Sequence, residues 1–264
     1  MTDEEIIENI GRFPRWHYQF DLRGHKTPIF DASHINRHRQ REAYFFRPVV
    51  QLFSGSPRGK RVLDLGCNAG FWSLRAVEAG CDYVLGIDGW PMHIDQAHFV
   101  FRASDIDRQR YDFRLGNVFD VLAREGGRFD VVLCLGLFYH VCKHMTLLEE
   151  ISRLNSDLLV IDTSLCVREG PVLELAHEPL DEPRNACDYE LVMLPSRQAV
   201  LDMVSEFGYR VITLEPDFDD YSGAEDFRTG RRRAFLGAKY TNLVSLTAPH
   251  DKKQPGSGVH GDGP

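Results

Sequence analysis

The sequence lacks the features that place a protein in or beyond a membrane. No apolar run approaches the roughly 18 residues that a membrane-spanning helix needs. The N-terminus Met-Thr-Asp-Glu-Glu has neither the cationic nor the apolar region of a signal peptide. Six cysteines are present, but no two form a Cys-x-x-Cys pair. Reduced thiols in a cytoplasm fit this pattern best, so we expect a cytoplasmic protein with no membrane partner.

The sequence also lacks an overall excess of positive charge. Its 31 basic and 39 acidic residues give a net charge of −8, which argues against a polyanionic partner such as nucleic acid. The charge is unevenly distributed, because residues 11–50 carry eight Arg or Lys, whereas residues 215–226 carry six acids and no base. Most such runs are solvated surface, so nucleic acid is not the partner we favour.

A third missing feature is the Gly-x-Gly-x-x-Gly fingerprint of dinucleotide-binding folds. The apolar strand Val62 to Leu65 instead leads into the turn 66–70, with a carboxylate just before it. Glycines leave no side chain where the backbone approaches a ligand, and the helix that follows directs its N-terminal N–H groups toward that ligand. A carboxylate here does not suit a pyrophosphate, but it suits a ligand with an ammonium group. We therefore expect the following residues to form the ligand site: Asp64, Gly66, Cys67, Asn68 and Gly70.

A second apolar strand, 83–88, ends on a carboxylate. At the tip of the next parallel strand, the carboxylate of Asp88 can accept two hydrogen bonds from a ribose diol, as in other nucleotide-binding α/β folds. We expect Asp88 and its neighbour Gly89 to bind the nucleoside part of the ligand.

Strands and helices alternate from residue 61 onward, which predicts a parallel, doubly wound α/β sheet. We divide the chain into a cap over the site at 1–58, an α/β domain at 59–245 and a disordered tail at 246–264. Within the domain, residues from about 164 to 195 show no clear periodicity, which is typical of a functional lid. The predicted strands are 61–65, 83–88, 111–115, 129–136, 157–163, 209–215 and 233–240. The predicted helices are 3–10, 38–53 with a bend at Pro48, 70–79, 91–104, 143–153 and 196–207.

Ligands of open α/β sheets bind at the carboxyl ends of the strands. Asn117 follows the third strand of the sheet, where its amide oxygen can accept a hydrogen bond from a bound ligand; the alternative is a local bond within the loop. Phe119 or Val118 could cover the face of a bound ring, and Leu135, at the end of the fourth strand, is also expected at the ligand.

Two histidines follow the fourth strand, at the edge where the reacting atoms are expected. The ordinary pKa of histidine suits proton transfer near neutrality, so His144 or His140, with Tyr139 beside them, is the predicted general base. Core packing of these histidines is the plain alternative. A further alternative is a site for a divalent metal such as Mg²⁺ on His140, His144 and Asp162, which could orient a substrate diol.

The motif Asp-Leu-Gly-Cys-x-x-Gly at 64–70 resembles motif I of the class I S-adenosylmethionine (SAM)-dependent methyltransferases. Gly-Ile-Asp at 86–88 resembles the acidic post-I motif of the same family. The resemblance implies SAM as the cofactor, with its amino-acid end at the motif I turn and its ribose on the acid. It also implies a Rossmann-like fold with a seven-stranded, mostly parallel sheet and an antiparallel last strand.

Two further stretches are similar to one subgroup of that family. They are residues 16–22, Trp-His-Tyr-Gln-Phe-Asp-Leu, and the segment that follows the fourth strand up to residue 148. The subgroup includes wobble-uridine tRNA alkyl transferases and sugar and natural-product O-methyltransferases. Its N-terminal segment folds over the cofactor, which implies a cofactor contact for Trp16. The similarity covers roughly residues 14–165 and is specific for SAM binding, but not for the acceptor.

The class of acceptor is therefore inferred from the side chains expected around the site. Aromatic platforms and hydrogen-bonding groups favour O-methylation of a small polar molecule, a sugar or polysaccharide precursor, with Tyr189 and Arg231 as candidate substrate contacts. Another secondary metabolite, an RNA-modifying (wobble-uridine) alkyl transferase, and a SAM-binding protein that transfers nothing are the alternatives. A homodimer is compatible with the sequence.

Overall fold

The structure, a computed structural model, describes residues 1–179 and 190–247. The α-helices are α1 (Asp3–Arg12), α2 (Ser33–Arg41), α3 (Arg47–Gln51), α4 (Phe71–Ala79), α5 (Pro91–Ala103), α6 (Val118–Arg124), α7 (His144–Leu154), α8 (Arg197–Ser205), α9 (Glu225–Arg228) and α10 (Val244–Thr247). The strands are β1 (Asp21–Leu22), β2 (His25–Lys26), β3 (Arg61–Leu65), β4 (Tyr83–Asp88), β5 (Tyr111–Leu115), β6 (Phe129–Leu135), β7 (Asn155–Ser164), β8 (Leu173–His177), β9 (Leu191–Pro195), β10 (Arg210–Leu214) and β11 (Arg232–Ala238). A π-helical turn covers Glu42–Phe46, and 3-10 turns cover Arg108–Arg110 and Phe138–His140.

The central sheet has seven strands in the order β10-β11-β7-β6-β3-β4-β5. Strands β7, β6, β3, β4 and β5 pair in parallel, whereas β11 is antiparallel to both of its neighbours, β7 and β10. The predicted seven-stranded, mostly parallel sheet with an antiparallel last strand is confirmed. The strand order reverses at β3, which lies between β4 and β6, and such a switch point is where α/β sheets bind ligands.

Both faces of the sheet are buried, which explains why its strands are almost uniformly apolar. Successive residues of a strand point to opposite faces, so Val62 belongs to one apolar cluster and Leu63 to the other. The same alternation separates Val131 from Val132. A sheet buried in this way holds the ends of its strands rigidly, and the candidate site lies on those ends.

The segment predicted as a cap shares its apolar core with the α/β domain. Tyr18 stacks on Phe71, the first residue of α4, with 4.6 Å between the ring centroids and 7° between the planes. Trp16 and Phe20 belong to the same buried cluster. The N-terminal segment is thereby fixed against the helix that follows the glycine-containing turn.

The helix predicted at 38–53 is divided by the π-helical turn that precedes α3. Pro48 has no N–H and its ring crowds the preceding helical turn, so a regular α-helix cannot run through this position. Helix α2 therefore ends at Arg41, the π turn adds a residue to one helical repeat, and α3 begins with Pro48 in its first turn.

The basic and acidic segments of the sequence contact each other. Arg37 of α2 makes two bonds of 2.7 Å to the carboxylate of Asp226, and Arg39 pairs with Asp219 at 3.2 Å. Asn36 donates from its amide to the carbonyl of Ser222 at 2.9 Å. These contacts tie helix α2 to the loop between β10 and β11.

The region predicted as an irregular lid contains two β-strands, one before and one after residues 180–189. Strands β8 and β9 pair antiparallel, from Leu173 opposite Pro195 to His177 opposite Leu191. Residues 180–189, including Tyr189, lie outside the described residues, as does the predicted tail beyond Thr247; α10 covers the first two tail positions. No described helix is both long and apolar enough to cross a membrane.

Candidate active site

The turn between β3 and α4 is built on three residues with positive φ. They are Gly66 (φ 69°), Asn68 (φ 50°) and Gly70 (φ 78°). A Cβ on Gly70 would lie 3.2 Å from both Ala97 and Phe113, so this position needs glycine for its conformation and for its packing. The N–H groups of Gly66 and Cys67 both donate to the Ile87 carbonyl, which joins the turn to the end of β4.

Asp88, the last residue of β4, holds the other side of this junction. Its Oδ2 accepts a hydrogen bond of 2.8 Å from the Asn68 N–H, and its Oδ1 accepts one of 2.9 Å from the Trp90 N–H. The Nδ1 atom of His93 lies 3.0 Å from the same Oδ1. The carboxylate is thus oriented by two backbone groups.

Two adjoining cavities open at this junction. The first, which we call the strand-edge cavity, encloses about 280 Å³ after β4, β5 and β6. The second, the arginine cavity, lies between the same strand ends and the N-terminal segment. Four residues line both cavities: Gly66, Asp88, Leu137 and His140. The strand-edge cavity is also lined by Gly89, Gly116, Asn117, Val118, Phe119 and Lys143.

Three arginines line the arginine cavity and make it polar: Arg37, Arg41 and Arg232. Arg41 and Arg232 share the fully buried carboxylate of Asp162, at 2.5 and 2.8 Å, and Arg37 pairs with Asp226. Although burial alone would raise it, the pKa of Asp162 is lowered by the charges of Arg232 and Arg41. Asp88 also lines this cavity, so its three guanidinium groups are balanced by three carboxylates, those of Asp162, Asp226 and Asp88.

His140 is the titratable group at the boundary of the two cavities. It is 3% exposed, and its Nδ1 lies 3.0 Å from Oε2 of Glu178, which follows β8. Tyr139 lines the arginine cavity beside it, with 3.9 Å between the two ring centroids.

A sequence profile described as a methyltransferase domain matches residues 35–214, which is more than half of the chain. This chain is a class I SAM-dependent methyltransferase. Its cofactor is SAM. The residues present fit that cofactor, because a turn shaped by glycines and a pre-oriented carboxylate meet at the entrance to a cavity.

The relatives of this methyltransferase differ in their named reactions. The O-antigen chain terminator bifunctional methyltransferase/kinase WbdD of Escherichia coli is 34% identical over 164 residues, covering 60% of this chain but 22% of that relative. A tRNA U34 carboxymethyltransferase of Campylobacter lari is 31% identical over 250 residues, covering 92% of this chain and 81% of the relative. The N-terminal domain of EvdMO1, solved with SAH and D-fucose, shares the fold with a TM-score of 0.66 at 20% identity, covering 90% of this chain and 97% of that chain.

The structure brings most of the predicted cofactor residues of the methyltransferase together. Gly66, Asn68 and Leu135 line the arginine cavity, and Gly89 and Val118 line the strand-edge cavity. Asn117 also lines the latter, but its Oδ1 accepts from the Phe119 N–H at 3.0 Å and caps α6. The local loop bond, which the sequence left as the alternative, is therefore formed.

Two residues of the motif I turn lie beneath the cavity surface. Asp64 is 1% exposed and accepts a 2.7 Å hydrogen bond from the Ser73 hydroxyl. Burial raises the pKa of Asp64 to about 7. Cys67 is buried in the core cluster, and its pKa is also raised by burial. Asp64 and Cys67 therefore support the turn from the protein interior, and neither lines a cavity.

Trp16 and Arg231 are corrected by the structure. Trp16 is 1% exposed and donates from its indole N–H to the Ile10 carbonyl; it packs in the core, because its large apolar ring gains more from burial than from a polar cavity. The side chain of Arg231 is exposed, whereas its neighbour Arg232 lines the arginine cavity. Arg232 is the first residue of β11, whereas Arg231 precedes the strand.

The predicted roles of His144 and Asp162 are also corrected. His144 stacks on Phe138, and its Nε2 donates to the carbonyl of that residue at 2.9 Å. Burial lowers the pKa of His144 to about 4, and the residue lines neither cavity, so it supports the 3-10 turn that carries His140. Because Asp162 is neutralised by two arginines, it is not available to a metal ion with His140 and His144.

Sequence reasoning missed the arginines and a group of histidines. The excess of basic residues in 11–50 was the available signal, but a charge run does not reveal which of its members turn inward. In the described part of the chain, the metal-binding side chains that lie together are His17, His34 and His38, whose ligand atoms are within 4.8 Å of one another.

Proposed function

We propose that this methyltransferase transfers the methyl group of SAM to a hydroxyl oxygen of a small polar acceptor, a sugar or polysaccharide precursor, with His140 as the general base. The observation that carries this proposal is the position of His140. It lines both cavities, and its Nδ1 lies 3.0 Å from the Glu178 carboxylate.

We place the adenosine part of SAM in the strand-edge cavity. Asp88 would accept hydrogen bonds from the ribose diol, and Val118 would cover the adenine ring beside Asn117. The amino-acid part would lie against the turn 66–70, where the backbone can approach closely. SAM supplies a methyl group on a sulfonium centre, which needs no further activation. This chain's task is to position the acceptor oxygen about 3 Å from the methyl carbon and to remove its proton.

The pair of His140 and Glu178 suits that proton transfer. A carboxylate at Nδ1 keeps the imidazole in the tautomer whose Nε2 can accept a proton, and it stabilises the imidazolium that forms. Burial of His140 lowers the local dielectric constant and strengthens its interaction with the half-buried Glu178. General bases of this kind contribute typically 10²–10⁴-fold to a rate.

The arginine cavity suits an acceptor rich in hydrogen-bonding groups. Guanidinium groups donate to hydroxyl, carboxylate and phosphate oxygens, and Tyr139 and Trp90 supply aromatic surface in the same wall. Because carboxylates balance the charge of these arginines, the cavity offers N–H donors without a large excess of charge, which favours a polar, uncharged acceptor. A named relative, the E. coli chain terminator, acts on O-antigen chains, which supports this direction.

RNA is the second candidate acceptor. It is favoured by the C. lari relative, whose name specifies position U34 of tRNA and whose match extends over 92% of this chain. The net charge of −8 weighs against it, because RNA binding requires a broad basic surface. The arginines of the cavity would then contact a nucleotide, and not a sugar.

Transfer from labelled SAM separates these candidates. The protein is incubated with pools of small glycans and sugar nucleotides, of other small metabolites, and of tRNA, and the label is located. Base-resistant label in the sugar pool supports O-methylation of a sugar, whereas label confined to tRNA, falling steeply with salt, would replace it with the second candidate.

A further inference from the structure

Three histidines of the N-terminal segment form a compact cluster that the methyl-transfer chemistry does not use. The ring centroids of His17 and His34 are 5.5 Å apart, those of His17 and His38 are 5.4 Å apart, and those of His34 and His38 are 5.8 Å apart. His34 and His38 lie four residues apart on α2, so they share one face of the helix. The hydrogen bond from the Phe30 N–H to the Trp16 carbonyl holds the segment carrying His17 against the approach to that helix.

His38 is the residue that ordinary packing does not explain. It is 4% exposed, and neither of its ring nitrogens has a hydrogen-bond partner within the described residues. A buried polar group without a partner costs roughly 1–3 kcal/mol, so its position requires an explanation, and an ion is one that satisfies the ring nitrogens directly. Imidazole nitrogens bind divalent metal ions when they are not protonated, so an ion would give both the burial and the missing partners of this ring a purpose.

We propose that His17, His34 and His38 form a three-histidine site for a divalent transition metal ion, and that Zn²⁺ is the ion this donor set fits. Three imidazole nitrogens and one open position are a common zinc arrangement. With Zn–N bonds of 2.0–2.1 Å the nitrogens lie roughly 3.3 Å apart, and they are at most 4.8 Å apart here. Binding of the ion would therefore involve small rotations of these side chains to bring the nitrogens closer together.

The charges around the cluster are compatible with a cation. Arg37 and Arg41 lie on the same helix, but each is paired with a carboxylate, Asp226 and Asp162 respectively. At the other side, Oδ2 of Asp31 lies 3.7 Å from Nε2 of His34. Carboxylates beside metal-binding histidines orient the rings and increase their basicity.

An ion at this position would be reachable from the arginine cavity, because His17 and His34 line that cavity together with His140. Its open position could then hold an oxygen of the acceptor. This last role rests on the proposed function, whereas the metal site itself does not.

The test is binding of the metal alone to the full chain. Protein stripped with a chelator is titrated with Co²⁺ in the absence of SAM and acceptor, and Zn²⁺ is then used to displace it. We expect one Co²⁺ per chain with the intense visible absorption of a four-coordinate site. His38→Gln and His17→Gln should each weaken binding by at least about 10-fold, the scale of losing an interaction at such a site.

His98→Gln is the matched control, because His98 is a half-buried histidine on α5 outside the cluster, and it should leave binding unchanged. Thermal unfolding and SAM affinity report whether each variant is folded; should the buried His38 variant unfold, the less buried His17 variant carries the test. Absence of stoichiometric binding, or equal affinity in wild type and both cluster variants, overturns the site. Failure of methyl transfer to sugars would leave this measurement untouched.

Discussion

Oε2 of Glu178 lies 3.0 Å from Nδ1 of His140, although one residue follows β8 and the other ends a 3-10 turn after β6. Such a pair orients an imidazole for proton transfer. His140→Ala should lower turnover about 10²–10⁴-fold, and Glu178→Gln should lower it less. SAM affinity should change little in either variant. Turnover with the accepted pool and calorimetry with SAM measure the two quantities.

The variant His144→Gln tests whether His144 only supports the turn that carries the proposed base, His140. Because His144 acts only through the turn that carries His140, we expect a smaller loss of turnover than in His140→Ala, together with a lower unfolding temperature. Normal turnover in His140→Ala, or a larger loss in the His144 variant, would contradict the assignment.

Asp88→Ala should weaken SAM binding. The carboxylate can accept hydrogen bonds from the ribose, and hydrogen bonds to charged groups contribute about 1.5–3 kcal/mol, so affinity should fall by about one to two orders of magnitude. Asp120→Ala is a useful control, since Asp120 lines the same cavity farther along α6. Calorimetry showing equal affinity in Asp88→Ala and wild type would remove the ribose role.

Asp162→Asn should strongly destabilise the protein. It leaves Arg41 and Arg232 buried without their counter-charge, and breaking a buried ion pair costs about 3–5 kcal/mol. Asp130→Asn, which breaks the partly exposed pair with Lys60, should cost less than about 1 kcal/mol. Denaturant unfolding measures both.

The ion pairs of Asp162 also make stability depend on pH. The folded-state pKa of Asp162 is lowered, so its contribution to the free energy of unfolding is present above the unfolded-state pKa. That contribution is lost as pH falls through the folded-state pKa.

Asp64→Asn should have the opposite effect above neutral pH. The carboxyl pKa is raised from 3.8 to about 7 by burial, so the folded state retains a proton that the unfolded state releases. Stability therefore falls as pH rises from about 4 to 7. Asn can still accept from Ser73, so the variant should be more stable than wild type at pH 8 by a few kcal/mol, at 1.36 kcal/mol per pKa unit. The gain should vanish near pH 4, and urea unfolding at the two pH values checks both expectations.

Local patterns were sufficient to predict the sheet and the cofactor turn. The strand β3, the glycines at 66 and 70 and the carboxylate of Asp88 are each recognisable from neighbouring residues, because turn geometry and strand burial are local constraints. The predicted bounds of the sheet strands agree with the structure to within two residues.

The acceptor side could not be predicted in the same way. Arg232 reaches Asp162 because β11 pairs with β7, and Arg41 reaches it from α2. Sequence spacing encodes neither contact. The contact of Glu178 with His140 could not be predicted either. Glu178 follows β8, and the sequence of residues 164–195 shows no periodicity that predicts β8 and β9. The resemblance to a methyltransferase subgroup predicts that Trp16 contacts the cofactor. In the structure its ring is buried in the core instead.

The contacts of α2 with residues 219–226, and of Arg41 with β7, have a consequence for biosynthesis. Helix α2 is made early on the ribosome, but the acids that pair with Arg37 and Arg39 and the strand that carries Arg232 are made near the end of the described chain. Contacts so distant in sequence form slowly, and domains of larger proteins fold as their chains emerge. Until residues 219–226 have been made, Arg37 and Arg39 of α2 therefore lack the carboxylates that pair with them in the folded protein.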